Sequence, residues 1–161
     1  MARVFRYLLR PLWLDRRGNL MIEFALALPV LSLMLIGLLD LGRYGLDKSA
    51  MLQGAREGAQ FGALSPTSPN LSSSDLTNVN TTAQNATGLS GVTASSSLFC
   101  ECTSGTAVSC TSTCSTLKHY ITVTTSRPFT SVVGATGINF GSFGHWTAPT
   151  SLSASVTMIL Q

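Results

Sequence analysis

Charge is scarce in this chain of 161 residues: Asp, Glu, Lys and Arg together make up 11 % of it. Apolar residues, at 45 %, are ordinary in number, so the low charge implies that they are concentrated in one place. Histidine occurs only at His119 and His145, with no acid close in sequence to either. Paired carboxylates and a phosphate-cradling glycine loop are missing as well. These shortages leave hydrolysis and phosphoryl transfer without visible machinery, so no catalytic residue, metal or cofactor is expected. Beyond residue 18 there are five basic and six acidic side chains. They form no basic stripe, which argues against a nucleic-acid partner.

The missing apolar material lies between Leu20 and Leu39, LMIEFALALPVLSLMLIGLL, which carries one charge, Glu23. At about 1.5 Å per residue this run can just cross a hydrocarbon core of roughly 30 Å. Ahead of it stand Arg3, Arg6, Arg10, Arg16 and Arg17 against the single acid Asp15. Behind it, Arg43 and Lys48 are balanced by Asp40 and Asp47. That asymmetry predicts a cytoplasmic N-terminus and an outward C-terminus. A cleaved secretory signal is disfavoured, because the A-x-A pattern at Ala25–Ala27 falls inside the apolar run rather than after it. Pro29 removes one helical hydrogen bond and predicts a bend.

No proline interrupts residues 40–63, and Ser65-Pro66 supplies a stop, so the helix is expected to continue to Ala63. Gly54, Gly58 and Gly62 recur every four residues beside Ala55, Ala59 and Ala63. Such a row permits close helix–helix approach, within the chain's own outer domain or to neighbouring subunits. A short second helix is expected over 75–87, with Ser73 or Ser74 as its N-cap. Asn70, Asn80 and Asn85 head N-x-S/T triplets, read as chance in a Ser/Thr-rich segment.

Past residue 91 the period changes to two. Strands are expected near 92–102 and 107–111, at 119–124, and at 151–160, where Leu152, Ala154, Val156, Met158 and Leu160 alternate with hydroxyl residues. The stretch 134–144 is expected to be a mobile surface loop, with Phe140, Phe143 and Trp146 as a contact surface or core. The fold class is therefore α+β, with the outer half of a long transmembrane helix laid on a small antiparallel sheet. Cys100, Cys102, Cys110 and Cys114 fit a zinc site or a redox motif poorly by spacing. Two structural disulfides fit an outward location; the preferred pairing is nested, Cys102–Cys110 inside Cys100–Cys114.

The segment Arg16-Arg17-Gly18-Asn19-Leu20-Met21-Ile22-Glu23-Phe24, leading into the apolar run, resembles a type IV prepilin processing site. Residues 16–63 are similar to the TadE-like family of minor pseudopilins from tight-adherence pilus systems. The shared features are Arg17-Gly18, Glu23-Phe24, Leu28-Pro29, Asp40-x-Gly42-Arg43 and Ala55-Arg56-Glu57-Gly58-Ala59, and more loosely the Cys-rich segment. The resemblance implies a pilin-like plan and an inner-membrane prepilin peptidase cutting between Gly18 and Asn19. It also implies that Glu23 is the counter-charge of the new N-terminal amine. Other minor pseudopilins, a major pilin and an inner-membrane assembly platform are the implied partners. Three parts are thus expected: a basic leader, 1–18; a transmembrane helix with its periplasmic extension, 19–63; and a disulfide-bonded extracytoplasmic α+β domain, 64–161. A competing expectation is a tethered extracytoplasmic binding module with no filament role. An anchored thiol oxidoreductase is a third.

Overall fold

The apolar run and the glycine-rich stretch behind it form one uninterrupted helix, α1, Asn19–Ala63. The computed structural model describes residues 19–132, apart from 103, 104, 106 and 115, and residues 138–160, apart from 140, 141, 143 and 148. The expected leader, with Arg16, Arg17 and Gly18, lies outside the described residues. Pro29 is accommodated inside α1, and a turn later the Ser32 hydroxyl donates to the Leu28 carbonyl at 2.8 Å. The chain divides into two units at Leu39/Asp40. In the first, α1 is apolar all round and its side chains are exposed: Leu26, Leu33 and Leu38 keep more than 60 % of their surface. Side chains of this kind need lipid or a partner around them.

The second unit opens with the outer half of α1. Helix α2, Ser73–Ala86, follows, and its N-terminus differs from expectation. Ser72, not Ser73 or Ser74, is the N-cap, because Asp75 lies three residues on and closes a capping box. The Asp75 carboxylate accepts from the Ser72 backbone at 2.9 Å, and from the hydroxyls of Ser72 at 2.7 Å and Thr67 at 2.9 Å. Such reciprocal bonds satisfy orphan amides of the first turn. They hold the Asp75 carboxyl below its usual 3.8, with the Ser72 hydroxyl as the largest cause.

Four antiparallel strands complete this unit: β1 Thr93–Cys102, β2 Ala107–Val108, β3 Leu117–Pro128 and, last in the chain, β6 Ser151–Leu160. Their order is β2-β1-β3-β6. β3 runs four residues past the expected end at Thr124, because β1 and β6 pair with it on both sides along its length. β2 is shorter than expected, since the chain turns away at Ser109, where the Ser112 amide donates to the Ser109 carbonyl at 2.9 Å. Within the stretch 134–144 expected to be loop, β4 Ile138–Asn139 forms a strand that pairs with β5 His145–Trp146 just beyond it. The expectations for Phe140 and Phe143 lie outside the described residues.

Alternation sorts the sheet into two faces. Ile121, Val123 and Thr125 of β3 point inward and are fully buried, with Leu152, Ala154 and Leu160 of β6 beside them. Against this face α1 lays Met51, Ala55 and Ala59, all fully buried, and α2 lays Val79 and Ala83. A second cluster joins Met51 to Phe129 and Leu152, where the Tyr44 ring meets Phe129 edge-on at 5.6 Å. The protein is thus α+β, with a long helix packed by its outer half on a small antiparallel sheet.

Candidate functional site

The glycine row meets α2 of the same chain. A Cβ built on Gly54 would lie 2.5 Å from the Ala83 carbonyl oxygen, and one on Gly58 would lie 2.7 Å from the Ala83 Cβ. One on Gly62 would lie 2.9 Å from Ile121 Cδ1. At Gly54 and Gly58 the atoms met belong to the rigid frame of α2, which leaves room only for glycine, whereas at Gly62 the nearest atom is the tip of a side chain. Gly37, Gly42 and Gly45, by contrast, have open space where a Cβ would go. Of the two partners considered for this row, the chain's own domain is therefore the one it faces.

Three polar contacts fasten the sheet to the start of this outer helix. Asp40, the first residue of the unit, is 94 % buried, at 6 % exposure. Its carboxylate accepts from the Val132 amide at 3.0 Å and from the Ser131 hydroxyl. Two turns on, Asp47 pairs with Arg127 of β3 at 2.9 Å. Lys48 donates to the Ser153 carbonyl of β6. Deeper, the buried Thr125 hydroxyl donates to the Met51 carbonyl at 3.0 Å. In sequence Asp40 stood out only as part of a shared motif. The loop it holds comes from 91 residues further along, and no local pattern announces such a contact.

The cysteine pairing corrects the nested expectation. Cys100 bonds Cys110 and Cys102 bonds Cys114, with Cα separations of 5.0 and 5.9 Å. The ladder explains why. β1 and β2 pair Cys100 with Val108 and Glu101 with Ala107, so Cys110, two residues past Val108, returns beside Cys100. Cys102 instead faces Leu117 across β3, and the chain entering β3 carries Cys114 to it. His119 Nδ1 lies 3.3 Å from the Cys100 sulfur. Cys100, Cys110 and His119 are close enough together to suggest a metal site. Both sulfurs are consumed in the disulfide, however, and a bonded sulfur is no thiolate ligand.

Asn19 begins α1, and Glu23 and Phe24 follow within about one turn, both exposed on it. Glu23 is the only acid between residues 19 and 39. The helix is long and apolar enough to cross a membrane. These features define a class: an α+β domain built onto one helix fit to anchor it in a bilayer. Residues 18–60 match the model of the family described as TadE-like protein, so over that stretch the chain is similar to that family. No curated protein and no solved structure matches it.

Proposed function

We propose that this chain is a minor pseudopilin of a tight-adherence pilus, serving assembly rather than catalysis. The observation that carries the reading is the TadE-like match, which begins at Gly18 and takes in Glu23 and the helix to residue 60. On this reading a prepilin peptidase cuts between Gly18 and Asn19. The cut exposes an amine four residues from Glu23, about 6 Å along a helix. A carboxylate costs roughly 2.5–3.5 kcal/mol at mid-bilayer, and an amine of the same or a neighbouring subunit offsets that cost. A subunit docked out of register leaves the charge uncompensated, so the pair selects one register. The exposed apolar side chains of residues 20–39 then give a surface that lipid covers first and neighbouring pilin helices cover afterwards.

The arginine-rich leader supports a cytoplasmic N-terminus in the inner membrane, and the two disulfides support an oxidising compartment for residues 64–161. Partners on this reading are the prepilin peptidase, other minor pseudopilins, the major pilin and the assembly platform. The test is Glu23→Gln in the native host. Membrane insertion is expected to be unchanged and surface pili, counted by electron microscopy, to be lost; normal piliation refutes the counter-charge role. Gly18→Val is expected to block processing, whereas a plain tethered binding module tolerates it.

A further inference from the structure

The clamp between Asp40 and the residues just past β3 lies at a particular level of the helix. The apolar run from Leu20 to Leu39, at about 1.5 Å per residue, matches the roughly 30 Å of a hydrocarbon core. Asp40 is therefore the residue at which α1 leaves the hydrocarbon, and headgroups extend roughly 5–7 Å beyond that point. Side chains on a helix lean toward its N-terminus, so the Asp40 carboxylate reaches back toward the bilayer. This carboxylate accepts from the Ser131 hydroxyl and, at 3.0 Å, from the Val132 amide. Residues 131 and 132 are thereby held at headgroup level.

The hold is firm, and what it presents is apolar. Phe129, three residues before Val132, is buried and meets the Tyr44 ring one turn beyond Asp40. The Phe129 amide donates to the Thr150 carbonyl at 2.9 Å. Between these attachments and Asp40 the chain has little freedom, yet the Val132 side chain keeps 62 % of its surface exposed. Leu41, beside Asp40 on α1, keeps 67 %. Arg43, less than a turn past Asp40, is exposed as well. Higher on the helix the contacts with β3 follow in order: Asp47 with Arg127, Met51 with Thr125, and Gly62 beside Ile121. Falling residue numbers along β3 thus lead away from Asp40, toward the end where Leu117 faces Cys102.

Continuity with the span decides what covers Val132 and Leu41. A bilayer that surrounds residues 20–39 ends at their level, so its headgroup layer is the medium they meet first. The neighbouring residues suit that layer: a tyrosine ring is amphipathic and favours this depth, and a guanidinium pairs with lipid phosphate. We propose that the outer domain makes a second membrane contact besides α1, in which Val132 and Leu41 dip into the headgroup layer and Arg43 holds lipid phosphates. The inference rests on residues 20–39 spanning a bilayer and goes beyond it. A helix alone leaves the domain free to tilt, whereas interfacial anchors set the tilt. With Val132 in the interface, the Pro128 end of β3 faces the membrane and the disulfide-bonded end points away from it.

The test places the full-length, isotope-labelled chain in nanodiscs of phosphatidylethanolamine and phosphatidylglycerol and follows its amide signals by nuclear magnetic resonance. One sample contains a lipid with a nitroxide just below the headgroup, and a second contains a water-soluble gadolinium chelate. The nitroxide is expected to broaden Leu33, Leu41 and Val132 and to spare Lys118 at the far end of β3, and the chelate to do the reverse. Val132→Ser keeps the backbone amide that Asp40 holds but removes the apolar group. It is expected to lower the nitroxide effect at position 132 by about half or more, with Leu33 unchanged. Broadening of Leu33 without Val132 overturns the second contact alone, as does an undiminished effect in the Ser variant. Shielding of Val132 from both probes also overturns it, since protein then covers the residue. Absence of nitroxide broadening at Leu33 and Val132 alike overturns the span together with the contact.

Discussion

Glycine at position 54 is the point where helix packing is tightest, and replacing it by alanine separates two opposed effects. Alanine favours the helix by about 1 kcal/mol over glycine. Its Cβ would meet the Ala83 carbonyl at 2.5 Å, with the Thr87 methyl also in the way. The methyl is held in place by the bonds of the Thr87 hydroxyl to Gln84 and Leu89, and the carbonyl belongs to the backbone of α2, so α1 and α2 must move apart. Overpacking of this kind costs about 1–3 kcal/mol, and a backbone clash belongs at the upper end. The expected net result is a destabilisation of about 1–2 kcal/mol. Gly45, where a Cβ meets nothing within 4 Å, is the internal control. Gly45→Ala is expected to stabilise the fold by up to about 1 kcal/mol. Thermal unfolding of the full chain in detergent, followed by near-ultraviolet circular dichroism, reads both. Equal shifts in the two variants, or a gain in Gly54→Ala, refute the close packing of α1 on α2.

Asp40→Ala removes the acceptor for the Val132 amide and the Ser131 hydroxyl; a loss of about 2–4 kcal/mol is expected by urea unfolding, with faster exchange of the Val132 amide. Protease mapping of the unreduced protein is expected to give linked peptides for Cys100–Cys110 and Cys102–Cys114, and none for Cys102–Cys110. Because the Asp75 carboxyl titrates below 3.8 when folded, its contribution to stability is complete above that pH and is lost as pH falls through the lower value. Protection of the Ser72 amide is therefore expected to be intact at pH 3.8 and to fail only as the pH falls further; loss at or above that pH contradicts the capping box.

Much of the architecture was legible because it is written in local periods. One apolar run followed by a proline-free, small-residue stretch implied a single long helix. Alternation from Leu152 to Leu160 implied a strand with one buried face. What escaped depends on distant parts of the chain meeting. The disulfide pairing turned on β2 being only two residues long, which cysteine spacing does not reveal. The N-cap moved to Ser72 because Asp75 selects the serine three residues before it, and a Ser-Ser-Ser run hides that choice. Asp40 gains its role from the residues just past β3, 91 positions further along the chain.

The most direct test of the assembly account is the mass of the mature subunit purified from membranes and sheared pili of its native host. Removal of residues 1–18, leaving a chain that begins at Asn19, is the expected result. A functional subunit that still carries Met1 through Gly18 contradicts the pseudopilin reading and leaves Glu23 without the amine it is proposed to neutralise.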